Sequence, residues 1–200
     1  MNDVGDGYWI PGSTTPGAGD TDPLDDSIQQ AREAFVGRFA MVDGHADVWR
    51  AFDDGAVFGR IVEALAAPWR SAGVTRVCGV ESRGFILGAA VALRLGLGFT
   101  AIRKGGGLFP GTKRSRATGP DYRGVRHVLR IQERSLRAGE HCLLVDDWIE
   151  RGAQAAAACE LVASLDASVI GISVIVDQLD DAMRGSLPRL TSILLAKELS

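Results

Sequence analysis

The amino-acid sequence predicts an α/β fold: a mainly parallel sheet with helices packed on both of its faces. Three observations carry that expectation. Short apolar runs rich in β-formers recur at 76–80, 99–102, 142–145 and 169–176, uniformly apolar rather than alternating, as strands buried on both faces must be. Helical segments at 86–95 and 153–165 lie between members of that series. At 200 residues, 46% hydrophobic and 24% charged, the chain is long enough to bury the core of one domain.

In chain order, residues 1–23 are rich in Gly, Pro, Asp and Thr and are expected to be a disordered tail, since they bury too little to offset the entropy of ordering. Residues 24–200 are expected to form the single domain. Asp26 or Ser27 can cap a helix reaching about Met41, with Ile28, Ala31, Phe35 and Phe39 at helical spacing. A second helix sets Phe58, Ile61, Val62, Leu65 and Trp69 on one face. The strand-and-helix alternation follows, and a further strand at 127–131 fits an antiparallel excursion. Cys78, Cys142 and Cys159 have no Cys-x-x-Cys spacing and sit among apolar residues, so buried thiols in a reducing cytoplasm are expected. No apolar run approaches the roughly 18 residues of a membrane span. No basic stretch followed by an apolar one opens the chain, so neither a membrane partner nor secretion is expected.

Charge narrows the ligand. The net charge is −3, yet between Arg103 and Arg137 ten basic residues stand against two acids, Asp121 and Glu133. A local basic stretch in an acidic chain suits a small, multiply charged anion better than a nucleic acid, for which no helix-turn-helix or RNA-binding signature is present. His45, His127 and His141 share no arrangement with a nucleophile and an acid.

Parallel sheets bind ligands at the carboxyl ends of their strands. After Val145 come Asp146, Asp147, Trp148, Ile149, Glu150, Arg151, Gly152, Ala153 and Gln154, then an Ala-rich helix. Adjacent carboxylates at a strand end are costly unless something uses them, and the two hydroxyls of a ribose would. The turn beyond them opens a helix whose N–H groups can cradle a phosphate. Together they describe a ribose 5-phosphate site; the plain alternative is a solvated acidic turn. After Val80, Glu81-Ser82-Arg83-Gly84-Phe85 opens another helix, where Arg83 can grip an anion or serve as a structural ion-pair partner.

These segments resemble the type I phosphoribosyltransferases, and the adenine phosphoribosyltransferases among them. The acidic pair Asp146-Asp147 with Gly152 is similar to the family's phosphoribosyl-pyrophosphate motif, although Arg151, Ala153 and Gln154 stand where Thr, Gly and Thr are usual. Glu81 to Phe85, Gly88, Leu95-Gly96, Ile102-Arg103-Lys104 and Leu108-Phe109-Pro110-Gly111 resemble the adenine enzymes' pyrophosphate-side segments. The likeness spans about residues 48–195. It implies the type I phosphoribosyltransferase fold, with a small hood at about 42–57 and a mobile lid at about 105–126. Further, it implies pyrophosphate contacts from Ser82, Arg83 and Lys104, and sugar-phosphate contacts from Asp146, Asp147, Glu150, Arg151, Gly152, Ala153 and Gln154. Asp121-Tyr122 matches an acid-Tyr pair in the lid, which implies that Asp121 or Glu150 handles a proton and that Tyr122 contacts phosphoribosyl pyrophosphate. Val48-Trp49-Arg50 matches the base-binding segment, with Trp49 as the stacking ring; its alternative role is ordinary core packing. The implied activity joins adenine to phosphoribosyl pyrophosphate, giving AMP and pyrophosphate, with Mg²⁺ carried by the substrate and reached by Asp146 and Asp147, in a cytoplasmic homodimer. Glu150 leaves open a phosphoribosyltransferase for a 6-oxopurine or specialised heterocycle. Arg151 and Gln154 leave open a sensor that binds phosphoribosyl pyrophosphate without turnover.

Overall fold

A computed structural model describes residues 23–106, 108–120 and 124–199. Helix α1 (Pro23–Val36) buries Ala31 and Phe35 completely and ends five residues short of the expected Met41. The chain then turns into a two-stranded hairpin, β1 (Ala40–Val42) and β2 (His45–Asp47). Its two linking residues, Asp43 and Gly44, both take positive φ (49° and 77°), the turn that matches strand twist and that Asp-Gly favours. Phe39, read from its spacing as helical, instead leads into this hairpin and stacks on Phe35 at 5.7 Å. Helix α2 (Gly55–Ala66) starts where the Asp54 carboxylate accepts the N–H groups of Ala56 and Val57, and Pro68 converts its last turn into a short 3-10 segment.

Beyond α2 the chain alternates as expected: β3 (Arg76–Val80), α3 (Arg83–Leu95), β4 (Gly98–Lys104), β5 (Lys113–Ala117), β6 (Val128–Gln132), β7 (His141–Ile149), α4 (Ala153–Ala163), β8 (Ser168–Asp177), α5 (Asp181–Ser186) and β9 (Leu190–Leu195). Seven strands form one sheet in the order β5-β6-β4-β3-β7-β8-β9. Strands β4, β3, β7, β8 and β9 run parallel; β6 and β5 add antiparallel at one edge, so the excursion at 127–131 is present. Strands β5 and β9 and the hairpin had not been read from the sequence.

Alternation along the central strands builds two cores. Val77, Leu143, Val145 and Ile175 face α1, α2 and α3, while Cys78, Val80, Leu144 and Val174 face the α4 side. Cys78 and Cys142 are buried thiols as expected, but Cys159 is only partly buried. Because β3, β4 and β7 are parallel, Glu81, Lys104 and the end of β7 arrive at one rim of the sheet. The seam beneath that rim is tight. A Cβ on Gly79 would lie 2.0 Å from the Gly84 carbonyl oxygen, and one on Gly84 would lie 3.0 Å from both Asp146 Oδ1 and the Val145 carbonyl. Among the described residues, no helix is long and apolar enough to cross a membrane. Residues 1–22, most of the expected tail, lie outside the described residues, as do Asp121 and Tyr122.

Candidate ribose-phosphate site

Strand β7 does not stop at Val145. It continues through Asp146, Asp147 and Trp148 to Ile149, with Asp146 paired to Val174 and Trp148 to Val176. The acidic pair therefore belongs to the sheet rather than to a loop, with Asp147 buried and Asp146 half-buried. Asp147 is 4% exposed, and its Oδ2 accepts a hydrogen bond from Arg83 Nε at 2.6 Å. Asp146 Oδ1 accepts the Asp147 backbone N–H at 3.0 Å, and Gly84 presses on it from α3. Burial, and then the neighbouring Asp147 carboxylate, hold the Asp146 carboxyl well above its ordinary value. Arg83 is the ion-pair partner of Asp147, and it also lines the cleft.

Past Glu150 and Arg151, Gly152 adopts φ 69° and begins α4. A side chain there would be strained in φ and would also meet Met183, whose Cγ lies 2.8 Å from an ideal Cβ. No side chain caps the helix, and its first bond runs from the Ala156 N–H to the Gly152 carbonyl. The N–H groups of Ala153, Gln154 and Ala155 thus have no intrahelical acceptor, and these three residues line the cleft. Arg151 is exposed and lines the cleft.

Across the rim, Glu81 organises the segment Arg103-Lys104, a role the sequence did not suggest. Its two carboxylate oxygens accept Arg103 Nη2 at 3.0 Å and Nε at 3.2 Å, and Oε2 also accepts the Lys104 N–H at 3.0 Å. The Arg103 contacts, above all, hold the Glu81 carboxyl below the usual range. Ser82 and Lys104 line the cleft. Part of the basic stretch is neutralised locally: Arg103 by Glu81, Arg114 by Glu133 and Arg116 by Glu160. The last of these ties β5 to α4, and Gly119 comes against Ala153, so the segment expected as a lid lies beside the phosphate turn.

One cleft of about 1100 Å³ joins all of this to the hood. Val48 lines it, but Trp49 and Arg50 do not. The chain enters a 3-10 turn at Trp49–Ala51 that buries Val48 and Ala51 and turns Trp49 outward, 46% exposed and edge-on to Phe52 at 5.8 Å; Arg50 pairs with Asp47. Instead, Phe39 and Met41 from the hairpin supply apolar surface, together with Trp148. Glu150 also lines the cleft, as do His45 and His127.

The arrangement is that of a sugar-phosphate transferase: buried acids, a bare helix N-terminus and a basic flank around one cavity. The phosphoribosyl transferase domain family matches residues 49–188, and the chain belongs to that family. Within it, the chain is 39% identical over 131 residues to an adenine phosphoribosyltransferase of Streptomyces coelicolor, covering 66% of this chain and 70% of that one. The structure is similar to that of adenine phosphoribosyltransferase from Thermoanaerobacter pseudethanolicus (TM-score 0.75, 26% identity, 82% of this chain and 99% of that chain). It is also similar to the Saccharomyces cerevisiae enzyme solved with adenine and an imino-altritol bisphosphate (TM-score 0.70, 26% identity, 82% and 98%).

Proposed function

We propose that this protein transfers the 5-phosphoribosyl group of phosphoribosyl pyrophosphate to adenine, releasing pyrophosphate and forming AMP. One observation carries the reading: an acid pair sealed into the end of β7 leads directly to an uncapped helix N-terminus, in the cleft that also holds Arg83 and Lys104. The relatives' names supply the base.

The 5-phosphate sits on the N–H groups of Ala153, Gln154 and Ala155, with Arg151 able to add a guanidinium fork from the rim. Asp146 and Asp147 accept the ribose hydroxyls. As the C1–O bond breaks, positive charge grows on the sugar ring and negative charge on the departing pyrophosphate. The buried carboxylates favour the first, and Arg83, Lys104 and Ser82 the second. The base lies under Val48 and the hairpin, aligned for attack at C1. Glu150, or Asp121 outside the described residues, takes the proton that the base nitrogen sheds. The segment at about 105–126 closes over the centre and excludes water.

Mg²⁺ would be brought by the substrate, and Asp146 and Asp147, both in the cleft, are the residues that would hold it. Bound there, it would neutralise pyrophosphate oxygens. Exposed Ile86 and Leu93 on α3 suit burial against a second copy, supporting a homodimer, and three unpaired cysteines suit the cytoplasm. Glu150 in the cleft favours one second reading, a 6-oxopurine as the base. The test is pyrophosphate release with phosphoribosyl pyrophosphate, Mg²⁺ and adenine, hypoxanthine or guanine in turn. Turnover with adenine preferred is expected. Thermal stabilisation by the sugar phosphate without release from any base would mark a sensor instead.

A further inference from the structure

The base side of the cleft holds a side-chain pair that no step above uses. Trp148, next to the acid pair, donates its indole Nε1–H to Gln178 Oε1 at 2.9 Å. An indole nitrogen can only donate, so the Gln178 amide has one permitted orientation: its oxygen faces Trp148, and what remains is the NH₂ group, a donor. Both partners are fixed. Trp148 lies in β7 opposite Val176, and its ring is 6.4 Å from that of Phe39. Gln178 follows β8; its own N–H donates to the Ile149 carbonyl at 2.9 Å. The next N–H, of Leu179, donates to Asp177 Oδ1 at 2.9 Å, and that buried carboxylate is paired with Arg184. Phe39, Trp148 and Gln178 all line the cleft.

From this geometry we infer that Gln178 is a specificity-determining residue for the base, presenting a locked hydrogen-bond donor, and that Trp148 is the positioning residue that locks it. The inference rests on the phosphoribosyltransferase reading of the cleft and adds the chemistry of its base subsite. A donor that cannot turn over accepts a base with an unprotonated ring nitrogen facing it, and repels one with an N–H there. Adenine carries a bare N1, whereas 6-oxopurines carry N1–H. An amide free to rotate would tolerate either. Discrimination of this kind, which leaves a polar group mispaired in the wrong complex once the base covers it, can be large.

The test compares Trp148→Phe and Gln178→Glu with the parent chain. Trp148→Phe keeps an aromatic wall and removes only the lock; Gln178→Glu keeps an acceptor for the indole and replaces the donor with a second acceptor. For each, kcat/KM is measured with adenine and with hypoxanthine, and the Kd for ribose 5-phosphate is measured separately. The expected result is an adenine-to-hypoxanthine ratio lowered at least about tenfold in both variants, with ribose 5-phosphate affinity within about twofold of the parent. A merely structural role would move both bases together and leave the ratio where it was. Ratios unchanged in both variants overturn the inference. If the parent chain turns over no base, the enzymatic reading fails by itself. The ratio of Kd values for the two bases, with ribose 5-phosphate present, then replaces the kinetic one and decides the role of Gln178 by the same criterion. A parent chain that binds neither base overturns it as well.

Discussion

The two halves of the cleft are built in different ways. The sugar-phosphate half sits on the central strands β3 and β7 and on the first turn of α4. Its groups are backbone amides and a half-buried ion pair, Asp147 with Arg83. The proposed base half is assembled from a hairpin of three-residue strands, a 3-10 turn and the ends of β7 and β8, and several of its apolar residues are exposed, Met41 by 60%. The difference separates the invariant part of the chemistry from the variable part. In the proposed reaction the sugar phosphate is the same whichever base is used, so rigid parts would serve it; the base would be met by peripheral pieces that can change without disturbing the sheet.

The largest expected effect lies in the rigid half. Asp147→Asn is expected to lower kcat/KM at least about a hundredfold, on the order of 3 kcal/mol, in steady-state assays of pyrophosphate release. Arg83→Ala is expected to match that loss and also to destabilise the fold by about 2 kcal/mol, because it strands a buried carboxylate whose partner is itself partly solvated. Chemical denaturation measures this; full retention of stability would show that the pair is not load-sharing.

Asp146→Asn sharpens the contrast by splitting stability from activity. The raised Asp146 carboxyl keeps its proton in the folded chain over a pH range where the unfolded chain, near its ordinary value of 3.8, has lost it. The folded state then binds more protons, so stability falls as pH rises from the ordinary carboxylate range through the raised value. The Asn variant is expected to lose that fall, gaining about 1 kcal/mol or roughly 3 °C in Tm at neutral pH while turnover drops. Thermal melts across pH check it, and a variant that melts lower than the parent at neutral pH would contradict it.

The smallest effect is expected at the hood. Trp49→Ala, outside the cleft, should change kcat/KM for adenine less than about threefold. A loss of ten times or more would place the indole against the base after all, through movement of the turn.

What the sequence made legible follows the same division. The stretch 76–80 reads as a strand because it is apolar on both faces, and β3 occupies those residues. The acids and glycine of the phosphate turn are legible because the site is continuous in the chain. The end of β7 was not, since two aspartates at a strand tip look like a loop until the pairing with β8 is known. The hairpin left only one cue, Asp43-Gly44, between strands too short to show a period. Phe39 and Gln178 gave none: they meet Trp148 only because the sheet order sets β8 beside β7 and the hairpin above them.

The seam between β3 and α3 has a consequence for how this chain can vary. Gly79 and Gly84 line no part of the cleft, yet a single methyl group on either would drive into backbone or into the Asp146 carboxylate. A saturation library selected for turnover should therefore tolerate many residues along the hairpin and almost none at these two positions. Intolerance there would report steric crowding, and a map of mutational tolerance would mark as essential two sites that line no part of the cleft.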